Sequence, residues 1–318
     1  MPLQSGLVVR EQSGFFWVEV ADGMIYRCRL RGRLMEAAQS SDIAAIGDRV
    51  HFTAINDDEE GDKGTIEEVE ERTSALSRSV RTEGNRGSGE ARREQVIIAN
   101  ADQVLLVVAA SQPAPDMRML DRLLVASEKA GIEYRGIIVN KVDLEDPGNI
   151  DARFVPYQRM GYTVLQTSAL KNTGIDELRS ILKDRLSVLT GTSGVGKTSL
   201  LNQLQPGLGR SVRAISSYHE EGMHTTRDSV LIKLDFGGYL ADTPGMRNLN
   251  IWDVEPEELD AYFIDLAPYV EKCRFGDCTH NNEPGCAVRE AVQEGIIHRS
   301  RYKSYLALRA ELEAEYAY

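Results

Sequence analysis

Residues Gly191-Thr-Ser-Gly-Val-Gly-Lys-Thr198 match the spacing G-x-x-x-x-G-K-[ST], a pattern that does phosphate chemistry. Glycines let the backbone curl until its N–H groups cradle phosphate oxygens, and a helix opening at Lys197 aims its positive end at the same oxygens. Gly191, Thr192, Ser193, Gly194, Val195 and Gly196 are therefore read as nucleotide-binding, with Lys197, Thr198 and Ser199 at the head of the helix. Lys197 brings a full charge to the phosphates and Thr198 a hydroxyl for Mg²⁺, which makes both of them catalytic candidates as well.

A second segment reads the base. Asn140-Lys141-Val142-Asp143 follows the apolar run 136–139 and has the form N-K-x-D. The Asp143 carboxylate can accept from guanine's N1–H and N2–H₂ together, a donor pair adenine lacks, so GTP is expected over ATP. Asn140 is expected to support the loop and base edge and Lys141 to cover the ring, while Ser168 and Ala169 stand where a backbone N–H can reach guanine O6. Asp242-Thr-Pro-Gly245 reads D-x-x-G, with Asp242 expected on Mg²⁺ through water and the Gly245 N–H on the γ-phosphate, so that losing this phosphate releases the segment. Gly222-Met-His-Thr-Thr226 reads as a first switch in which either Thr225 or Thr226 closes on Mg²⁺. Many GTPases place a water-orienting glutamine just after D-x-x-G; here it is Met246, whose thioether cannot do that. Slow intrinsic hydrolysis is expected, with His224 as a catalytic candidate beside Lys197, Thr198 and Gly245, although His219 and His224 also read as plain polar loop residues.

Cys273-x₄-Cys278-x-His280-x₅-Cys286 offers three thiolates and an imidazole, the donor set of a closed structural Zn²⁺ site. Only Cys28 lies apart, a distribution that suits a metal in a reducing compartment better than a disulfide framework.

These groups must be positioned by alternating elements. Strand-like runs at 103–109, 136–139, 186–189 and 238–241 alternate with helical patterns at 119–130 and 175–186, which reads as an α/β domain with a mainly parallel sheet. Ahead of it, short strands at 6–10, 14–20, 24–31, 48–54 and 65–69 suggest a small β-barrel. Period two puts Arg27, Arg29, Arg31 and Arg33 on one strand face with Cys28 and Leu30 inward, and that face is either solvated or a phosphate-binding stripe. Residues 77–94 are rich in Gly, Arg and Ser and read as a basic mobile linker that either contacts RNA or serves solubility. Beyond 250 the pattern is helical and ends in a charged helix at 298–316.

The 318 residues are 42% hydrophobic and 27% charged, as in globular chains of two or three domains, which excludes a disordered or multiply membrane-spanning protein. A net charge of −12 means that any RNA contact has to use local patches. No signal peptide or membrane helix is legible, so a cytoplasmic protein is expected.

GTPases usually run phosphate loop, switch threonine, D-x-x-G, N-K-x-D, S-A; here N-K-x-D and S-A come first, a circular permutation. With a β domain before and a Cys/His cluster after, the chain resembles the RsgA/YjeQ family of small-ribosomal-subunit biogenesis GTPases. The resemblance runs over essentially its whole length, including Gly47-Asp-Arg-Val50 and Asn100-Ala-Asp-Gln103. It implies a multidomain α/β architecture: an N-terminal OB-fold β-barrel that binds RNA (1–72), a basic flexible linker (73–94), a circularly permuted P-loop GTPase domain (95–250) and a C-terminal helical zinc-binding domain (251–318). It further implies GTP/GDP, Mg²⁺ and one structural Zn²⁺ as cofactors, the small (30S) ribosomal subunit and its rRNA as partners, and a monomer without membrane contact. Hydrolysis stimulated by that subunit during its late maturation is the implied activity. One departure is that relatives carry His-Thr-Thr-Thr in the first switch, whereas Arg227 follows Thr226 here. A GTP-gated RNA-binding checkpoint with incidental turnover is the alternative; an ATPase or nucleotide kinase is disfavoured by Asp143. Because the chain after Gly245 leads straight into the zinc domain, GTP is expected to fix that domain's orientation.

Overall fold

The computed structural model describes residues 3–32, 34, 42–55, 62–81, 92–209, 229–242 and 254–316. The first five strands, β1 (Leu3–Gln12), β2 (Phe15–Glu19), β3 (Ile25–Leu30), β4 (Arg49–Ile55) and β5 (Lys63–Val69), alternate inward and outward residues. They run in the order β1-β2-β3-β5-β4 and close through β1–β4 pairing, the topology of an OB-fold barrel. Val8, Phe16, Val18, Cys28, Val50, Phe52 and Ile66 fill it. At Gly64 a Cβ would come within 2.8 Å of both Cys28 Sγ and Phe52, so only glycine fits there. Tyr26 and Cys28 point inward, Leu30 is half-buried, and Arg27, Arg29 and Arg31 face out; Arg33 lies outside the described residues. Arg27 and Arg29 lie 5.2 and 4.4 Å from the Phe15 ring, and Arg10 lies 4.7 Å from Trp17.

The stretch read as a linker is strand at both ends. β6 (Ala75–Arg81) and β7 (Arg92–Ala99) pair antiparallel from Ala75↔Ala99 to Arg81↔Arg92. Leu76, Ile97 and Ile98 are buried against the sheet core, which holds the base of this ladder in place. Residues 82–91 of the expected linker lie outside the described residues. The barrel is clamped beside it: buried Asp48 accepts from Arg72 at 2.9 and 2.8 Å, and Asn100 joins Gly47 O (3.1 Å) to Thr73 N (2.8 Å).

Next come β8 (Gln103–Ala109), α1 (Met117–Lys129), β9 (Tyr134–Asn140), α2 (Pro147–Arg159), β10 (Thr163–Gln166), α3 (Ile175–Leu182), β11 (Leu186–Thr190), α4 (Lys197–Leu204), β12 (Ser229–Lys233) and β13 (Tyr239–Asp242). The strands lie in the order β10-β9-β8-β11-β13-β12, parallel except for β12. Buried on both faces, β8, β9 and β11 are almost continuously apolar. Apolar residues of α1 and α2 (Leu120, Leu124, Ile150, Phe154) cover one face, and those of α3 and α4 (Leu178, Leu182, Leu200, Leu201) the other. Helix α3 stops four residues short of the 175–186 pattern, because Leu186 is taken as the first residue of β11. Strand β1 also pairs with β12, Arg10↔Val230 and Glu11↔Ser229, so barrel and sheet form one eleven-stranded sheet among the described residues.

The C-terminal part comprises a 3-10 turn (Leu259–Tyr262), α5 (Ala267–Val270), α6 (Ala287–Gln293) and α7 (Arg299–Tyr316), around Leu259, Phe263, Leu266, Tyr305 and Leu308. Val125 of α1 belongs to this same core. Fully buried Arg301 of α7 reaches Asp121 of α1 at 2.6 Å and Asp265 at 2.9 Å, and the Tyr157 hydroxyl of α2 donates to Asp121 at 2.8 Å. Among the described residues no helix is long and apolar enough to cross a membrane.

Candidate functional site

In an open parallel sheet, ligands bind beyond the carboxyl ends of the strands. That edge carries 140–143 after β9, Ser168 and Ala169 after β10, 191–196 after β11, and Asp242 at the end of β13. Permutation in sequence thus leaves one cluster in space.

The phosphate loop is held open by backbone contacts that exclude side chains. Gly191 has φ +153°, and a Cβ there would sit 2.1 Å from Val107 O of β8; Gly194 (φ +82°) and Gly196 (φ +96°) are also left-handed. Thr192, Ser193 and Gly194 are exposed while Val195 is buried beneath them, so the loop has an anchored base and an open crest. Lys197 begins α4 and its Nζ donates to Gly191 O and, at 2.9 Å, to Thr192 O, curling over the loop. Thr198 is half-buried and Ser199 exposed on the first turn of α4.

Asn140, expected partly at the base edge, is buried and spends both ends of its amide on the protein. Its Nδ2 donates to Val195 O at 2.9 Å, and its Oδ1 accepts from Ala169 N and Thr167 Oγ1, each at 3.3 Å. It therefore staples the phosphate loop, the base loop and the Ser168-Ala169 loop into one unit. Lys141 adopts φ +61° and its ammonium donates to Gln112 O. Exposed Asp143 accepts from the Ser168 hydroxyl, whose oxygen in turn accepts from Lys171 N at 3.0 Å. This hydroxyl relay sets the carboxylate's rotamer and leaves it facing solvent. Asp242 ends β13; His219, His224, Thr225, Thr226, Arg227, Gly245 and Met246 lie outside the described residues.

The metal cluster is compact: the ligand atoms of Cys273, Cys278, His280 and Cys286 all lie within 4.8 Å of one another. His280 Nδ1 is 3.6 Å from Cys273 Sγ and 3.5 Å from Cys286 Sγ, and those two sulfurs are 3.9 Å apart. A tetrahedron with bonds of about 2.0–2.3 Å has edges of roughly 3.5–3.8 Å, so Cys273, His280 and Cys286 stand at the spacing of zinc ligands, and Cys278 Sγ, within 4.8 Å of each of them, completes a set compatible with a single zinc ion. Burial pushes the Cys278 thiol up to about 12, and it also raises Cys286. For Cys273 burial acts the same way but is outweighed by hydrogen bonds from the Val288 and Ala287 amides, leaving that thiol below its ordinary range. His280 Nε2 lies 3.0 Å from Asp260 Oδ2, and neither this contact nor the Arg301 pairs with Asp265 and Asp121 are legible from sequence spacing, since the partners lie 20, 36 and 180 residues apart.

The family model described as RsgA GTPase matches residues 69–252, and the one described as RsgA N-terminal domain matches 5–66. A relative from Gemmatimonas aurantiaca, named small ribosomal subunit biogenesis GTPase RsgA, is 41% identical, with 97% of each chain covered. One of the same name from Moorella thermoacetica is 39% identical, again with 97% of each chain covered. Among solved structures, YjeQ from Thermotoga maritima superposes with a TM-score of 0.74 at 37% identity, covering 98% of this chain and 99% of that one. YloQ, described as a circularly permuted GTPase, gives 0.73 at 30% identity, covering 99% and 96%.

Proposed function

Because this chain belongs to the RsgA family of GTPases, we propose that it hydrolyses GTP on the small ribosomal subunit during late maturation of that subunit, in the cytoplasm and as a monomer. The observation that carries the reading is the Asn140 staple, which holds a phosphate loop and a guanine-type base loop in one rigid unit.

Within it, Asp143 reads guanine's paired donors, Lys141 covers the ring and the Ala169 region meets O6. The N–H groups of 191–196 and the Lys197 ammonium hold the phosphates, and Thr198 would ligate Mg²⁺, which supplies charge neutralisation at the β- and γ-oxygens when bound. Asp242, Gly245 and one of Thr225 and Thr226 complete the switch contacts, and His224 orients the attacking water in place of the glutamine replaced by Met246. Cys273, Cys278, His280 and Cys286 hold one structural Zn²⁺. The arginine and aromatic face of β1, β2 and β3 is the surface offered to rRNA: Phe15 and Trp17 give stacking planes, and Arg10, Arg27 and Arg29 give phosphate partners.

Steady-state hydrolysis of GTP and ATP, with and without purified small subunits at low and moderate salt, tests the proposal. Strong stimulation confined to GTP is the expected result. Equal slow GTP turnover in both conditions would remove the subunit as activator.

A further inference from the structure

We infer that Asp260 is the positioning residue of the zinc site, its carboxylate holding the His280 ring so that Nδ1 and not Nε2 is presented to the metal. The inference rests on the ligand assignment above and adds a group that acts through one of those ligands.

His280 is fully buried, with Nε2 3.0 Å from Asp260 Oδ2 and Nδ1 facing the sulfurs of Cys273 and Cys286 at 3.6 and 3.5 Å. A neutral imidazole carries one N–H, and an ionised carboxylate only accepts. The proton therefore sits on Nε2, and the Nδ1 lone pair is directed at the position the three sulfurs surround. The backbone is held separately. His280 has φ +61°, its carbonyl accepts from the Tyr302 hydroxyl at 2.6 Å, and the Thr279 carbonyl accepts from the Tyr305 hydroxyl at 3.2 Å. Those contacts from α7 fix where the residue is, and Asp260 fixes which way its ring is turned.

The carboxylate arrives from outside the cysteine cluster. Asp260 lies on the 3-10 turn Leu259–Tyr262, in the stretch of chain between the D-x-x-G motif and the zinc ligands. Lys129 of α1 holds this turn, pairing with Glu258 at 3.7 Å and lying 5.5 Å from the Tyr262 ring. One zinc ligand is thus oriented by an element seated on the GTPase domain.

The test uses the full chain and zinc itself, with affinity measured by chelator competition. Asp260→Ala is expected to lose about 10–100-fold in zinc affinity, and Asp260→Asn, which keeps a carbonyl acceptor without the charge, about tenfold or less. In the Co²⁺-substituted protein the visible bands of the tetrahedral site should shift in Asp260→Ala and return toward wild type in Asp260→Asn. Affinity and bands unchanged in Asp260→Ala, with stability alone reduced, would make Asp260 a packing residue and overturn the inference. Should Asp260→Ala fail to fold, the ¹⁵N resonances of the wild-type zinc-loaded His280 ring decide: an Nε2–H tautomer supports the inference and an Nδ1–H tautomer overturns it. A wild-type chain that binds no zinc removes the centre and the inference together.

Discussion

Two neighbouring residues of the base loop do different jobs, and substitution should separate them. Asp143 is exposed and, among the described residues, its carboxylate is held by the Ser168 hydroxyl, so Asp143→Asn should cost little stability while lowering GTP affinity at least about 100-fold, because guanine's two donors lose their paired acceptor. Titration calorimetry with GTP and with xanthosine triphosphate reads this directly, and unchanged GTP affinity would remove the base assignment. Asn140→Ala behaves differently. It leaves Val195 O and Ala169 N without their buried partner, so nucleotide binding should fall together with stability, the latter by about 1–3 kcal/mol. Thermal unfolding of the nucleotide-free variant measures that loss. Gly196 shows how narrow the tolerance is: at φ +96° an added Cβ would meet Asn140 Nδ2 at 2.3 Å, so Gly196→Ala should disable the same staple from the opposite side. Motif spacing made the loops legible because glycines and short polar residues recur at fixed offsets. It could not show that Asn140 faces inward, which depends on strands β9 and β11 lying either side of β8.

At the scale of elements, the barrel and the parallel sheet are legible from periodicity because their strands are buried on one face or on both. The β6–β7 hairpin is not. Its apolar residues Leu76, Val96, Ile97 and Ile98 sit at the base, and the Gly/Arg/Ser-rich remainder carries no repeat. Helix α2, with Pro147 at its first position and Pro156 inside, and the four-residue β10 are similarly weak signals. The barrel's interior makes a pH prediction. Burial pushes the Cys28 thiol up to about 12, so the folded barrel retains a proton that the unfolded chain gives up near the ordinary cysteine value of about 8.5. The resulting stabilisation is complete below about pH 8.5 and is lost as pH rises toward 12, amounting to about 4–5 kcal/mol. Urea midpoints of wild type should fall between pH 8 and 10.5 more steeply than those of Cys28→Val. Parallel slopes would mean that the thiol ionises without opening the barrel.

At the scale of the whole molecule, paired strands and buried ion pairs join the domains among the described residues. Strand β1 belongs to the barrel and also pairs with β12, and Glu19 of β2 binds Lys233 and, at 3.0 Å, the Tyr239 hydroxyl of β13, the strand that ends at Asp242. On the other side the zinc domain is seated on α1 and α2 through Arg301, which is held charged because Asp121 and Asp265 outweigh the pull of burial. Removing one partner of a buried pair leaves the other charge without compensation, at about 3–5 kcal/mol, whereas replacing both with apolar groups is often neutral. Arg301→Met should therefore loosen α7, seen as faster amide exchange there, and Arg301→Met with Asp121→Leu should recover part of the loss. These buried ion pairs count against GTP setting the zinc domain's orientation. Swinging the domain away would part Arg301 from Asp121 and separate Val125 from the zinc-domain core, a cost similar to a nucleotide's whole coupling energy. Spin labels at exposed positions 151 of α2 and 303 of α7 should accordingly report the same distance with GDP and with a non-hydrolysable GTP analogue, and a broadened distribution in Arg301→Met. A nucleotide-dependent shift of several ångströms in wild type would show that the ion pairs open in the working cycle, and Arg301 would then be the latch of a moving domain rather than the anchor of a fixed one.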